Sequence, residues 1–377
     1  MFETLRSNKP QRNLAVLAAA TLIAVIAAAI AVVTDEGSVR ATFVPHPLFE
    51  GLDERLDQVD RIVYTVSRGM NGVSKIELAR NGEGRWVTPA RGGYPVSDAL
   101  VKKTLLGVGG MEAYEPRTAN PEWHRNLGLL KPEDIGSAVR VEFFKGDERV
   151  AGLLVGKVPE RAVDVKGEGL IYVRRDGEDE TFLARGRLPL YKTVNDWLDP
   201  AFIDISREKL ARVTLWAGTE TPVVLSRAPG EENFSIENPP EGRASRGAPV
   251  LNKTATAILD SGFDDVAPAA TLDFPEDTPK VIFETFDGLR LHMRMAGEGG
   301  ALWAKFDAEA DPALGPEGGD IAPAEERARE FNERLAGWTY KLPQELGNQL
   351  TQTMDLLTRE AGPADAMMSP MPERAQP

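Results

Sequence analysis

The sequence predicts an α+β protein: one N-terminal transmembrane helix followed by two tandem repeated modules, each an antiparallel sheet covered by a helix. Three observations carry this. Leu14 to Val33 is a run of about twenty residues without a charge. Beyond it, short stretches alternate apolar and polar residues at the period of a half-buried strand and are separated by Gly, Asn and Asp turns. The order of these elements between Arg61 and Ile205 then recurs between Arg212 and Gly362, as expected of an internal duplication with units of roughly 150 residues.

The uncharged run "LAVLAAATLIAVIAAAIAVV" would span roughly 30 Å of hydrocarbon as a helix. A secretory h-region is about 7–15 residues, so the run reads as an uncleaved anchor rather than a signal peptide. Arg6, Lys9 and Arg12 precede it and Asp35 and Glu36 follow. The positive-inside rule therefore puts residues 1–13 in the cytoplasm and the bulk of the chain in the periplasm, on a single-pass protein of the inner membrane. Ala20, Ala24 and Ala28 fall at i, i+4 and i+8 and form a candidate helix-packing face where another helix approaches closely.

Residues 34–58 read as a juxtamembrane linker, and the first module as residues 59–205. Its strands are "RIVYTV", "KIELAR" after an Asn71-Gly72 turn, and "GRWVTP", with Trp86 pointing outward. Ser97 caps a helix with Leu100, Val101, Leu105 and Val108 at helical spacing. Hairpins turn at "KGDE" and "DGED", and "LPLYKTVNDWL" closes the module as a short amphipathic helix.

The second module, residues 206–362, repeats the order. "ARVTLW", "PVVLSR" and "NFSIENP" are its strands, and a helix carries Leu251, Ala255, Ile258 and Leu259 on one face. A hairpin turns on Asp287-Gly288, and Leu342-Pro343 echoes Leu188-Pro189. Even the phrase "ARNGEGRWVTPA" has its counterpart in "SRAPGEENFSIENPP", with Phe234 in the place of Trp86. The second copy adds an acidic, Gly/Pro-rich insertion over residues 308–324. The tail, residues 363–377, is rich in Pro and Met and reads as disordered.

Composition narrows the function. Of 377 residues, Lys+Arg number 44 against Asp+Glu 58, a net charge of -14, which opposes nucleic acid as a partner. With no cysteine and three histidines far apart, thiolate chemistry is excluded and no metal site is expected. Gly107, Gly109 and Gly110 follow a helix, the wrong context for a nucleotide loop. Asp307, Glu309 and Asp311 begin like a calcium loop, but Pro312 stands where glycine is required. Ser206, Ser226 and Ser235 have no neighbouring histidine base, His124 reads as a loop residue, and Arg174-Arg175 as salt-bridged surface. No catalytic, cofactor-binding or metal residue is assigned, and the chain is expected not to be an enzyme.

Taken together, "W-V-x-P", "PVSDALVKKTLLGV", "NLGLLKPE", "LLVGK" and "YVRR" resemble the domain-of-unknown-function 4340 family of bacterial envelope proteins. The second module lacks a "GLLKPE". The resemblance implies a non-catalytic, membrane-anchored accessory subunit of an ABC-type transport system, an extracytoplasmic scaffold. Its partners would be the transporter permease with its extracytoplasmic domain, and the lipid bilayer through residues 14–33. The alternative is an extracytoplasmic solute- or polymer-binding protein with a site between the two modules.

Overall fold

The computed structural model describes residues 13, 16–27 and 43–362, apart from positions 161, 165, 201, 219–220, 238, 260 and 316–318. The transmembrane helix expected at Leu14–Val33 is not supported. Residues 16–27 are helical and exposed, and at 1.5 Å per residue they cover roughly 18 Å of the roughly 30 Å needed. No helix among the described residues is long and apolar enough to cross a membrane. Residues 14–15 and 28–33 of the expected span, and the tail from 363, lie outside the described residues.

From residue 43 onward the protein is α+β, with two large antiparallel sheets. The first contains β1 (His46–Pro47), β2 (Arg61–Ser67), β3 (Val73–Arg80), β4 (Trp86–Thr88), β5 (Tyr94–Pro95), β6 (Glu112–Pro116), β7 (Val139–Lys145), β8 (Glu148–Val155), β9 (Leu170–Arg175) and β10 (Thr181–Arg185), with helix α1 (Asp98–Gly109) after β5. The second contains β11 (Leu210–Trp216), β12 (Val223–Ser226), β13 (Ser235–Ile236), β15 (Asp265–Pro268), β16 (Lys280–Thr285), β17 (Leu289–Glu298), β18 (Ala301–Ala310) and β19 (Trp338–Lys341). β14 (Arg243–Ser245) pairs apart with β20 (Thr358–Glu360), and α2 (Ala248–Thr256) precedes β15.

The duplication holds strand for strand. The first sheet runs β4-β3-β2-β7-β8-β9-β10-β6 between its outer strands β5 and β1, and the second runs β13-β12-β11-β16-β17-β18-β19-β15. Hairpins turn at Gly146 (φ 56) and Gly288 (φ 95), left-handed conformations that favour glycine. Each sheet buries alternate residues under its helix: Val101, Thr104 and Val108 in one, Leu251, Thr254 and Ile258 in the other.

The repeated phrase has a physical content. At the end of β3, Arg80 Nε donates to Val59 O at 3.2 Å and Nη1 to Gly84 O at 3.2 Å, and the guanidinium lies 4.9 Å over the Trp86 ring. After β12, Arg227 Nε donates to Leu210 O at 2.9 Å and Nη1 to Glu231 O at 3.0 Å, 4.9 Å over Phe234. Trp86 is therefore not outward. It is 6% exposed and part of the first core, because β4 is covered on both faces.

Other departures have local causes. Residues 46–58, expected as linker, pack on the first module: β1 pairs with β6, and Leu48 and Leu52 are buried. The insertion reaches beyond residue 324, because α3 (Ala322–Leu335) stands between β18 and β19. After Leu188-Pro189 the chain makes a 3-10 turn at Asn195–Trp197 in place of the expected amphipathic helix. The β-branched Thr193 and Val194 disfavour the expected helix there.

The modules are joined by a packed seam. Arg91 Nε and Nη2 meet Asp265 Oδ1 and Oδ2 at 2.5 and 3.1 Å, and Nη2 also donates to Asn195 Oδ1 at 3.0 Å. Tyr94 lies in the second module's core, edge-on to Trp338, Phe263 and Tyr340 with ring centroids at 5.0, 5.8 and 6.1 Å. Gly92 (φ 66) has no room for a Cβ, which would enter the Pro268 ring. Gly92→Ala is therefore expected to lower stability by about 2–3 kcal/mol from strain and overpacking, and urea denaturation measures it.

Burial pushes the Tyr94 phenol up from 10.0 to about 12. A raised folded-state value means a contribution present below the unfolded value and lost as pH rises through the folded one. Stability should therefore fall between pH 10 and 12, and because burial raises Tyr64 and Tyr340 as well, Tyr94→Phe should reduce that loss without abolishing it in thermal melts across the window.

Candidate functional site

The two modules also differ between their fourth and fifth repeat strands, β6–β7 in the first and β15–β16 in the second. In the second, residues 269–279 connect β15 to β16, whereas in the first, residues 117–138 build a surface element with its own small core. Asn120 opens it by accepting a hydrogen bond from Glu122 N at 3.0 Å, a cap for the turn at Pro121–Trp123. One helical turn, His124–Leu127, is stopped by Gly128 at φ 73, the left-handed position at which helices end.

Below it, Leu129, Ala138 and Leu154 are buried against Leu127 and Tyr172. Strand alternation makes this possible. Leu153 and Val155 of β8 and Val173 of β9 face the main core, so Leu154, Tyr172 and Arg174 emerge on the opposite face. Arg174 is the keystone. It is 5% exposed, and it donates from Nη2 to Leu129 O at 3.2 Å and from Nη1 to Glu178 O at 2.7 Å. Burial pushes its pKa down, against the pull of Asp176, Asp179 and Asp134.

His124 is buried as well, 2.9 Å from Asp179 O. A carbonyl can only accept, so Nε2 carries the proton. The backbone completes the join: Leu129 N to His124 O at 2.8 Å, and Lys157 N to Leu127 O at 2.9 Å. Gly156 is required here, since a Cβ would collide with Leu127 O.

The outer surface carries exposed apolar side chains among its polar ones. Trp123 is 57% exposed and Ile135 is 63% exposed, with Val158 exposed just past the Leu127–Lys157 bond. Ile135 is the one non-glycine residue with positive φ among the described residues, at 54°. For a β-branched side chain this conformation is strained by about 1–3 kcal/mol. Beside it, Glu133 pairs with Arg140, and Arg149 bridges Glu142 and Asp176 at 3.1 and 2.7 Å. Burial would raise the Glu133 pKa, but its backbone amide and Arg140 hold it below the usual carboxylate range.

The residues weighed in the sequence fall elsewhere. Ala20 and Ala24 lie on the exposed helical residues 16–27, and Ala28 lies outside the described residues. Gly107 and Gly109 are packing glycines, where a Cβ would meet Arg187 O and Leu56. Glu309 and Asp311 are engaged by Arg290 at 3.2 and 2.7 Å. Ser235 bonds across to Ser226 O at 3.3 Å. Among the described residues, no group of acidic and histidine side chains could hold a metal ion. Sequence reasoning missed Arg174, which is interior rather than surface. The available signal was its alternation with Val173 on β9.

The stretches "NLGLLKPE", "LLVGK" and "YVRR" thus converge on one small core. A family model described as a domain of unknown function (DUF4340) matches residues 86–280, which contain all three stretches and both sides of the Arg91–Asp265 seam. No curated protein and no solved structure matches.

Replacing Ile135 with Gly releases the left-handed strain, less the roughly 0.5–1 kcal/mol entropic cost of glycine. The expected outcome is a melting temperature unchanged or raised by about 1–4 °C. Differential scanning calorimetry reads it, and a marked drop would mean that the Ile135 side chain is part of the packing.

Proposed function

The chain belongs to the DUF4340 family, and from that premise we propose that it is a non-catalytic accessory subunit of an ABC-type transport system, an extracytoplasmic scaffold that holds a partner against its first module. One observation carries the reading: the two copies of a duplicated fold carry different additions, and the first copy's surface element is fixed from beneath by a buried arginine. Burying a guanidinium costs several kcal/mol unless its donors are matched. Nη1 and Nη2 are held by Glu178 O and Leu129 O while Nε has no hydrogen-bond partner among the described residues, and the two bonds tie the element to the sheet beneath it. Its exposed face offers a tryptophan and a strained isoleucine, and aromatic side chains are the commonest anchors of protein interfaces.

The alternative, a solute site between the modules, is less well supported. Tyr94, Phe263, Trp338 and Tyr340 fill the seam and Arg91 closes it. A packed joint suits a rigid scaffold better than a hinged cleft.

The double variant Trp123→Ala, Ile135→Gly tests the proposal. Affinity purification of the full chain should recover the transporter permease with wild type and at least about tenfold less with the variant, since an aromatic anchor contributes about 2 kcal/mol or more. Circular dichroism should show the two proteins equally folded. Equal recovery of permease would remove this surface from the interface, and recovery with neither protein would overturn the transporter reading.

A further inference from the structure

A second asymmetry lies on the helix-covered side of the sheets. In the second module, Leu342-Pro343 leads into helix α4 (Gln344–Leu350), whose Leu346 and Leu350 are buried in the second core. This helix packs on α2. Lys253 Nζ lies 2.8 Å from Glu345 Oε1, and Thr254 Oγ1 donates to Gln349 Oε1 at 3.1 Å. Matching the buried faces of the core helices, Val101, Thr104 and Val108 on Leu251, Thr254 and Ile258, places Lys103 where Lys253 stands.

In the first module that lysine has no such neighbour. Leu188-Pro189 leads into irregular chain, and Lys103 makes no ion pair among the described residues. Beside it, a groove of about 590 Å³ lies open between α1 and the segment 186–189, with exposed Leu106 and half-buried Leu188 and Pro189 as its apolar wall. A second cavity of about 580 Å³ adjoins it through Gly110, Gly186 and Arg187 and adds Lys166. Arg187 and Lys166, like Lys103, have no ion-pair partner among the described residues. Arg185, by contrast, is matched by Glu112, Asp164 and Glu168.

We propose that this groove is a docking site for a short acidic amphipathic helix of a partner protein, which brings to Lys103 and Arg187 the carboxylate that Glu345 brings to Lys253. In a chain of net charge -14, two cations without an ion-pair partner among the described residues, Lys103 and Arg187, beside an apolar wall select an acidic segment. The internal counterpart shows the scale of occupant, since α4 is seven residues long. Short amphipathic helices laid in apolar grooves are a recurrent mode of recognition. The inference stands on the duplication and does not require that the scaffold serve a transporter.

The test uses the full chain and a fluorescent, helix-stapled peptide with the sequence Leu342 to Thr351. Fluorescence anisotropy should show saturable binding with a dissociation constant on the order of 10–100 µM. Lys103→Glu should weaken it at least tenfold, and a peptide carrying Glu345→Lys should restore binding to that variant. Lys253→Glu, whose lysine is already engaged, is the control and should leave peptide affinity unchanged. No saturation at millimolar peptide, or equal binding by wild type and Lys103→Glu, would overturn the site. Sedimentation showing that the chain dimerises alone, with Lys103→Glu abolishing the dimer, would overturn the assignment to a partner and give the groove to a second copy.

Discussion

An arginine laid across an aromatic ring at the end of the second repeat strand is the constraint on which each module depends. Arg80 and Arg227 each donate to a carbonyl beside the start of the first strand and to a carbonyl in the following turn, while covering the aromatic residue of the third strand. One side chain thereby ties three pieces of backbone together. Hydrogen bonds from a charged donor contribute about 1.5–3 kcal/mol each and the stacking about 0.5–2 kcal/mol. Lysine could not replace it, because a single ammonium cannot bond in two directions and lie flat on a ring. Two sequences that have diverged almost everywhere keep this arrangement because the strand order of each sheet closes around it.

Once both modules are held the same way, their differences carry the information. The segment after β4 in the first module reaches out, so that Tyr94 enters the second module's core and Arg91 meets Asp265. Its counterpart in the second module pairs β14 with β20, as Val96 pairs with Leu198 in the first, but among the described residues it sends no aromatic residue into the other core. A duplication that joined two identical sheets would leave two equal outer edges. This one spends one edge on the seam and ends as an asymmetric body, with the 117–138 element and the α1 groove both on the first module.

Much of this was legible in the sequence, and the rest failed for identifiable reasons. Alternation of apolar residues and the Gly146 and Gly288 turns are local signals, so both sheets and their common order could be read. The seam could not, because Arg91 and Asp265 are 174 positions apart and nothing in "PARGGYP" announces its partner. Leu48 and Leu52 were lost among polar neighbours, which made packed chain look like linker. Arg174 misled because a pair of arginines beside acidic residues reads as surface, while strand alternation sends Arg174 into the small core beneath Leu129. The apolar run at Leu14–Val33 satisfied a composition rule for a membrane span, but no helix among the described residues is long and apolar enough to cross a membrane. The small-residue face of Ala20, Ala24 and Ala28 rested on that span and has no support apart from it.

The placement of charge separates stabilising groups from available ones. On the sheet faces some cations are matched, Arg290 by Glu284, Glu309 and Asp311, and Arg149 by Glu142 and Asp176. Exposed pairs of this kind add little stability individually, and Lys280, Arg294 and Lys305, in register on β16, β17 and β18, have no ion-pair partner among the described residues. Lys103 and Arg187 also have no ion-pair partner among the described residues, and they line one groove beside exposed Leu106. In the second copy of the same fold, the corresponding lysine meets a glutamate on a helix that the chain itself provides. An unmatched cation is ordinary on a protein surface, but Lys103 stands where the sister module's lysine meets Glu345, and Arg187 and exposed Leu106 share its groove, which is what marks this face as one for another chain to complete.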